Sequence, residues 1–159
     1  MQAADYYNSR PKKATGAGVL FFNSSGELLI VKPHYLDRWL WPGGGIEENE
    51  TPLAAAIRES EEEIGVSPKD LRLAFVQYRP PKSDGQDETI HFVFIARTVE
   101  DNFLNTVKLG SNEIVDAKFV PVSDLAKYLS PQRADAIQSY IENRSTGGGL
   151  YIEGARTAI

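Results

Sequence analysis

Residues 42–66, PGGGIEENETPLAAAIRESEEEIGV, concentrate side chains that can bind cations. Seven carboxylates fall between Glu47 and Glu63, and Arg58 is the one basic residue among them. Three consecutive glycines occupy positions 43–45, just before this acidic stretch. Carboxylate oxygens are the ligands that hard divalent cations such as Mg²⁺ and Mn²⁺ prefer. The segment therefore suggests a metal site, provided that local structure brings these carboxylates together.

The second half of the segment is predicted to be a helix with clear ends. Thr51 can cap the N-terminus with its hydroxyl, and Pro52 suits the first helical position. Gly65 is well placed to end the helix after Glu63 or Ile64, because glycine readily adopts the left-handed conformation of a C-terminal cap.

Three carboxylates of this helix share one face. At about 100° per residue, Glu62 lies ~60° to one side of Glu59, and Glu63 lies ~40° to the other. An acidic surface helix kept for solubility is an equal alternative, since like charges at this spacing cost only about 0.2–0.5 kcal/mol per pair. Two features favour the metal site: Arg58 stands beside Glu59, and a glycine-rich bend precedes the helix.

Another stripe of the helix is apolar. Leu53, Ile57 and Ile64 fall at positions i, i+4 and i+11, and Ala56 and Ser60 fill the gaps between them. This spacing predicts that the stripe faces the protein core.

The composition narrows the class of protein. The chain has 159 residues, of which 42% are hydrophobic and 25% are charged, as expected for one globular domain. The absence of cysteine excludes disulfides, thiol nucleophiles and zinc–thiolate sites. A net charge of −5 argues against binding a nucleic-acid polymer. We find neither an apolar run of about 18 residues, as a membrane helix needs, nor a secretory signal, and we expect a cytoplasmic protein.

The rest of the chain alternates between strand and helix patterns. Strands are predicted at 15–23, 27–32, 71–79, 89–97 and 113–122, and helices at 123–129 and 131–144, besides the acidic helix. The tripeptide SSG at 24–26 predicts a hairpin turn between the first two strands. Strands on both sides of a central helix predict a mixed α/β (α+β) sheet with helices packed on it.

Three segments follow from this pattern. Residues 1–14 are predicted to be a flexible N-terminal segment, and residues 15–144 a single domain. Residues 145–159 are predicted to be a flexible Gly-rich tail, in which 150–154 can add a short strand.

The spacing within the acidic segment resembles the signature of the Nudix hydrolases, G-x5-E-x7-R-E-U-x-E-E-x-G-U, where U is a bulky aliphatic residue. Here it runs over 23 residues, from Gly44 through Glu50 and the carboxylates of the helix to Gly65 and Val66. Ser60 is the one departure, because an aliphatic residue is usual there. Ser60 lies on the predicted core stripe, so the departure concerns packing. The resemblance implies a Nudix-type α/β/α sandwich with a loop–helix–loop catalytic motif.

The resemblance also implies an activity and a set of site residues. Nudix enzymes hydrolyse a nucleoside diphosphate linked to another group, and they use a divalent metal, here Mg²⁺ or Mn²⁺. Arg58 is then expected to hold Glu59 in place, and Glu50 to support that arrangement or to position water. The metal ligands implied by the resemblance are Glu59, Glu62, Glu63 and the carbonyl of Gly43.

Three residues remain candidates for the catalytic base. Glu113 stands where several members of the family carry a glutamate near the metals. Glu88, in the predicted loop at 80–88, competes with it, and Glu59 is a third possibility. An ordinary surface role is the simplest alternative for Glu113 and Glu88, but we favour Glu113.

Substrate contacts are expected from residues at the end of the second strand and in the segment that follows it. Lys32 ends that strand and can reach a phosphate, although a solvated lysine is as plausible. Trp39 and Tyr35 can stack on a base, although a packed core tryptophan is the simpler interpretation of Trp39. Gly44 lets the backbone approach the substrate. His34 and His91 have no partner pattern, and we interpret them as structural residues.

The sequence leaves the substrate open among nucleoside triphosphates, oxidised or not, ADP-ribose and sugar nucleotides. Pro81, about fifteen residues past the motif, is a weak mark of ADP-ribose hydrolysis in the family. We expect a small-molecule nucleotide substrate, no membrane partner, and a monomer or homodimer. The alternatives are a Nudix-fold module that senses a nucleotide without cleaving it, and a calcium-binding acidic helix without catalysis.

Overall fold

The computed structural model describes residues 3–83, 85, 87–110, 112–147 and 149–154, together with the backbone of 156 and 157. The predicted loop at 80–88 and the predicted tail at 145–159 therefore fall only partly within the described residues.

The described residues form a mixed six-stranded sheet and a smaller two-stranded sheet. The strands are β1 Ala14–Leu20, β2 Leu28–Pro33, β3 Gly43–Gly45, β4 Arg72–Arg79, β5 Thr89–Ile95, β6 Ile114–Val120, β7 Tyr151–Glu153 and β8 Arg156–Thr157. The large sheet has the order β3-β1-β5-β4-β7-β8, and the small sheet pairs β2 with β6. The β1–β5 and β4–β7 pairs are parallel, and the other pairs are antiparallel.

The helices of the described chain are α1 Ala3–Ser9, α2 Pro52–Ile64 and α3 Pro131–Asn143. The predicted helix at 123–129 is a 3-10 helix at Val122–Lys127, and a second 3-10 helix at Phe103–Thr106 was not predicted. Pro121 and Pro131 flank the 3-10 helix at Val122–Lys127, and proline limits how far a helix can extend in either direction.

Strand β1 divides the core into two layers, because its side chains alternate between the two faces of the sheet. Val19 packs in the cluster that contains the buried residues Ala55 and Ala56 of α2. Leu20 packs in the other cluster, which contains Ala136 and Ile137 of α3. The sheet therefore lies between α2 and α3, and the predicted α/β/α sandwich with a mixed sheet is confirmed.

The predicted hairpin between the first two strands is wrong beyond its turn. Asn23 and Glu27 pair across the turn, and Phe22 bridges Leu28. The two strands then separate into different sheets. Strand β1 already has β3 on one edge and β5 on the other, so its backbone groups are satisfied without β2.

The predicted core stripe of α2 is correct for Ala56, Ser60 and Ile64 and wrong for Leu53. The first three are fully buried, whereas Ile57 is half-buried and Leu53 is 45% exposed. The buried face of α2 is the one that carries Ala55, Ala56 and Ser60, so it is rotated away from Leu53. Ser60 is buried without an unsatisfied hydroxyl, because Ser60 Oγ donates to the carbonyl of Ala56 at 2.9 Å. The departure from the aliphatic residue therefore concerns packing, as predicted.

Both predicted flexible ends contain regular structure. Ala3–Ser9 forms α1, although none of its residues is buried. Tyr151–Glu153 forms β7, which continues the sheet beside β4, and Ile152 is fully buried. The short strand predicted within 150–154 is therefore confirmed as β7, where a buried isoleucine and a strand ladder hold this piece of the predicted tail. The division at residues 14 and 144 stays a prediction.

None of the helices in the described ranges combines the length and the apolar composition that a membrane span requires.

We expect Ile152→Ala to lower the free energy of unfolding by about 2–5 kcal/mol, because it empties a fully buried site in the sheet. Urea denaturation followed by circular dichroism measures the change. Leu73→Ala is the matched control, since Leu73 lies on β4 but is 54% exposed. Equal, small effects of the two substitutions would show that β7 contributes nothing to the stability of the domain.

Candidate active site

Helix α2 begins and ends where the sequence predicts. The hydroxyl of Thr51 accepts a hydrogen bond from the N–H of Ala54 at 3.2 Å, and Pro52 is the first helical residue. Gly65 caps the other end with φ 67°, a left-handed conformation that favours glycine. These caps fix the register of the acidic face between them.

Arg58 joins the helix to the loop before it. Its Nε and Nη2 donate to the two carboxylate oxygens of Glu50 at 2.8 and 2.9 Å, and Nη2 also donates to the carbonyl of Gly45 at 2.9 Å. Its Nη1 donates to Glu59 at 2.7 Å and to Glu62 at 3.2 Å. The bidentate contact with Arg58 lowers the pKa of Glu50 to about 2, and the same contact raises the pKa of Arg58.

Glu63 is a buried carboxylate with a weak partner. Its side chain belongs to a residue that is 6% exposed, and Oε2 accepts a hydrogen bond from the N–H of Gly43 at 2.9 Å. Burial is the main reason that the pKa of Glu63 is raised to about 8; the hydrogen bond from Gly43 opposes this effect, and the negative charges of Glu59, Glu113 and Glu62 add to it. A cation beside Glu63 would favour its charged form.

Glu59 lies against the glycine loop. A Cβ atom at Gly44 would stand 2.5 Å from Oε1 of Glu59, so only glycine lets the loop pass this carboxylate closely. Burial raises the pKa of Glu59, and the hydrogen bond and charge of Arg58 oppose that effect. The loop at Gly44 thus approaches Glu59 closely, and the predicted approach of Gly44 to the substrate stays a prediction.

The three helix carboxylates do not yet form one ligand cluster. No group of three or more acidic or histidine side chains in the described part of the chain has the arrangement of a metal site. The reason is local: Glu62 is exposed and points to Arg58, whereas Glu63 points to Gly43.

Glu113 and Tyr35 lie beside these carboxylates. Glu113 precedes β6, and its carbonyl accepts a hydrogen bond from the N–H of His34 at 2.8 Å, which fixes the loop that carries Tyr35. Burial raises the pKa of the Tyr35 hydroxyl, and the charges of Glu113, Glu63 and Glu59 add to that effect. The structure thus brings Glu113 within electrostatic reach of Glu63.

Glu88, the competing candidate for the base, belongs to a different cluster. Its carboxylate pairs with Lys13 and accepts a hydrogen bond from the Tyr78 hydroxyl at 2.8 Å. These two contacts lower the pKa of Glu88.

The predicted substrate-binding side chains make other contacts. Lys32, near the end of β2, donates to the carbonyl of Leu36 in the loop that follows this strand. Trp39 packs edge-on against Tyr128 with ring centroids 6.1 Å apart, and the ammonium of Lys118 lies 4.3 Å from the Trp39 ring centre. These contacts suit a structural role for Trp39. The stacking roles of Trp39 and Tyr35 stay predictions.

One feature of the site was missed in the sequence. Gly110 packs against the C-terminal turn of α2, where its N–H donates to the carbonyl of Glu63 at 3.1 Å. A Cβ atom at Gly110 would stand 2.0 Å from the carbonyl oxygen of Glu62. In the sequence, the glycine between Leu109 and Ser111 indicates only a turn, and nothing in its neighbours predicts this contact.

The chemistry, rather than the depth of a cleft, defines this site. A concave space of about 750 Å³ lies at the start of β4. Its lining includes Leu71, Leu73 and Tyr140 but none of the α2 carboxylates.

The fold and this acidic helix define a class of protein: an α/β/α sandwich in which a glycine loop and a capped helix present carboxylates beside β1. Residues 12–140 match the family model described as the NUDIX domain. The chain therefore belongs to the Nudix hydrolase family, as the sequence motif predicted.

Individual relatives agree with this assignment. Human diphosphoinositol polyphosphate phosphohydrolase 3-alpha is 33% identical over 137 residues, which cover 83% of this chain and 78% of that protein. The RNA pyrophosphohydrolase of Hydrogenovibrio crunogenus is 45% identical over 56 residues, but the match spans only 34% of that protein and 35% of this chain. The MutT protein of Methanosarcina mazei Go1 has the same fold, with a TM-score of 0.68, 21% identity, and coverage of 86% of this chain and 99% of that one.

We expect Gly44→Ala to lower the affinity for Mn²⁺ by about 10–100-fold, because the new methyl group displaces the carboxylate of Glu59 from Arg58 and the loop. Isothermal titration calorimetry measures the affinity. Gly45→Ala is the matched control, since a Cβ atom there has no neighbour within 4 Å. Equal affinities in the two variants would contradict a role for the close approach at Gly44.

Proposed function

We propose that the protein is a metal-dependent hydrolase that cleaves the diphosphate linkage of a nucleoside diphosphate derivative by attack of water at phosphorus. The observation that carries this proposal is the buried carboxylate of Glu63. It stands among other carboxylates, and within the described chain no basic side chain pairs with it. Such a group needs a proton or a metal cation to balance its charge.

The side chains fit a divalent cation by type. Glu59, Glu62, Glu63 and the carbonyl of Gly43 offer only oxygen donors, which suit Mg²⁺ or Mn²⁺. Glu62 is exposed and is held by one 3.2 Å bond to Arg58, so it is the most easily redirected of the three carboxylates. When bound, the cation neutralises the charge of the diphosphate and lowers the pKa of coordinated water.

Other residues of the site would orient the metal ligands and accept the proton of the attacking water. Arg58 and Glu50 form a bidentate pair that fixes the orientation of Glu59. Gly43 and Gly44 bring backbone close to Glu63 and Glu59, which leaves little room for water between them. Glu113 is our candidate for the base that takes a proton from the attacking water, because its charge already acts on Glu63 and Glu59.

The relatives add two candidates to the substrates considered from the sequence. Their names refer to RNA and to diphosphoinositol polyphosphates. The relative named for the inositol compounds aligns over 78% of its length, whereas the RNA-directed relative aligns over 34%. The net charge of −5 also argues against a nucleic-acid polymer. We therefore favour a small phosphorylated substrate, bound by a monomer or homodimer.

The alternative function is a nucleotide sensor that binds without cleaving. The full set of motif carboxylates argues against it, because a sensor does not need buried acidic groups that lack a counter-ion.

A substrate panel tests the proposal. Product release should be measured with Mg²⁺ and with Mn²⁺ on ADP-ribose, sugar nucleotides, normal and oxidised nucleoside triphosphates, a 5′-triphosphorylated oligoribonucleotide and diphosphoinositol pentakisphosphate. We expect turnover of at least one member, and Glu63→Gln should abolish it. Glu61→Gln is the control, since Glu61 is an exposed neighbour on the same helix. Nucleotide binding without turnover would favour the sensor.

We expect Glu113→Gln to reduce kcat by about 100-fold or more, because it removes the proposed base while it keeps the shape of the side chain. Glu88→Gln should leave kcat close to that of the unmodified protein, since Glu88 pairs with Lys13 and Tyr78. Steady-state kinetics on the best substrate measures both variants. A near-normal rate for Glu113→Gln removes Glu113 from the mechanism and leaves Glu59 as the candidate.

A further inference from the structure

A cluster of basic and polar side chains lies on the α3 face of the large sheet. Gln77 on β4 stands opposite His91 on β5, and Arg79 follows two residues later on the same face of β4. Arg133 enters from the first turn of α3, where the neighbouring carbonyl of Gln132 lies 3.4 Å from Nε2 of Gln77. We call Gln77, Arg79, His91 and Arg133 the arginine cluster.

Among the described residues, the arginines of this cluster contact only neutral partners. Arg79 is 7% exposed, and its Nε and Nη2 donate to Oε1 of Gln77 at 3.0 and 2.9 Å. Its third contact, at 3.4 Å, is with Nε2 of His91. Burial and the two arginines lower the pKa of His91 to about 3, so this histidine is neutral. Neither arginine forms an ion pair with a carboxylate in the described chain.

Arg133 also keeps an unused donor. Its Nε is buried and has no acceptor within the described residues, while its guanidinium lies 5.3 Å from the centre of the Trp41 ring. Burial, together with nearby positive charge, lowers the pKa of Arg79 to about 9 and that of Arg133 to about 10. Leaving two guanidinium groups and a buried N–H in this state is costly unless a ligand compensates them.

The arginine cluster adjoins the carboxylate site. Trp41, which stacks with Arg133, comes two residues before Gly43, and the N–H of Gly43 binds Glu63. The negative charges of Glu113 and Glu63 and the positive charge of Arg133 all act on the pKa of Tyr35. A ligand that bridges the carboxylates and the arginines would pass Trp41 and the loop at Gly43.

We propose that Arg79 and Arg133 bind a phosphate group of the substrate that is separate from the diphosphate being cleaved. This inference rests on the proposed function, and it narrows the substrate to molecules with a further phosphate ester. Guanidinium groups bind phosphate oxygens through paired N–H donors, and the charge of a phosphate offsets both arginines. An uncharged base or sugar would accept hydrogen bonds but would leave the two positive charges unbalanced.

Two sources of such a phosphate differ in the rest of the molecule: a nucleotide with a phosphate on its ribose, and a phosphorylated inositol ring. Adenosine 3′,5′-bisphosphate and inositol hexakisphosphate represent them, and adenosine 5′-monophosphate is the reference ligand. Binding should be measured by calorimetry in EDTA, so that it does not depend on metal or on turnover. We expect one of the two polyphosphorylated ligands to bind at least tenfold more tightly than the reference.

Substitutions of the two arginines test whether they cause the preference for the polyphosphorylated ligand. Arg79→Gln and Arg133→Gln should each weaken binding of the preferred ligand at least tenfold. Arg133→Lys keeps the charge but loses the paired donors, so its affinity should lie between those of the unmodified protein and Arg133→Gln. Arg72→Gln is the control, because Arg72 is exposed at the other end of β4. No preference over the reference ligand would overturn the inference. A lowered melting temperature with unchanged preference would also overturn it, since it would indicate a purely structural role.

Hydrolysis assays distinguish a failure of this inference from a failure of the proposed function. Coenzyme A and dephospho-coenzyme A differ by one ribose phosphate, and diphosphoinositol pentakisphosphate represents the inositol source. Turnover of the panel without any preference for phosphorylated ligands would keep the proposed function and remove the arginine site. Arginine-dependent binding without turnover would keep the site and remove the hydrolase.

Discussion

The contact of Arg58 with Glu50 and Glu59 is the interaction on which the rest of the site depends. One guanidinium spans the loop and the helix, because it also binds the carbonyl of Gly45. Without this cation the negative charges of the acidic face would repel one another with no basic side chain to offset them. Arg58 therefore makes it possible to fold a helix with so many carboxylates against a glycine loop.

Arg58 compensates only part of this charge. It contacts Glu62 at 3.2 Å, but Glu63 turns away from it to the backbone N–H of Gly43. Burial raises the pKa of Glu63 to about 8, and the hydrogen bond from a neutral N–H offsets this less than a charged partner would. The uncompensated carboxylate is the part of the site that a divalent cation would satisfy. The balance of charge thus supports the proposed metal chemistry even though the three carboxylates do not converge.

Local features of the site could be predicted from the sequence, whereas contacts between distant segments could not. The caps at Thr51 and Gly65 follow from helix geometry within a few residues. The different directions of Glu62 and Glu63 depend instead on Arg58 and on the glycine loop. The separation of β2 from β1, and the docking of Gly110 on the end of α2, depend on which edges and ends the rest of the fold leaves open. Leu53 lies on the predicted core stripe, but the face of α2 that the fold buries is the one that carries Ala55, Ala56 and Ser60.

The arginine cluster is the clearest case of such non-local assembly. Arg79 and Arg133 lie on a strand and a helix far apart in the chain, and each looks like an ordinary surface arginine in the sequence. The sandwich places them on one face of the sheet while α2 presents its carboxylates from the other, and Trp41 and the glycine loop connect the two. On the two proposals made above, a substrate that spans both groups would carry negative charge at each end, because the carboxylates would need a cation between themselves and the diphosphate, whereas the arginines would bind an anion directly. The fold would then favour ligands with this distribution of charge.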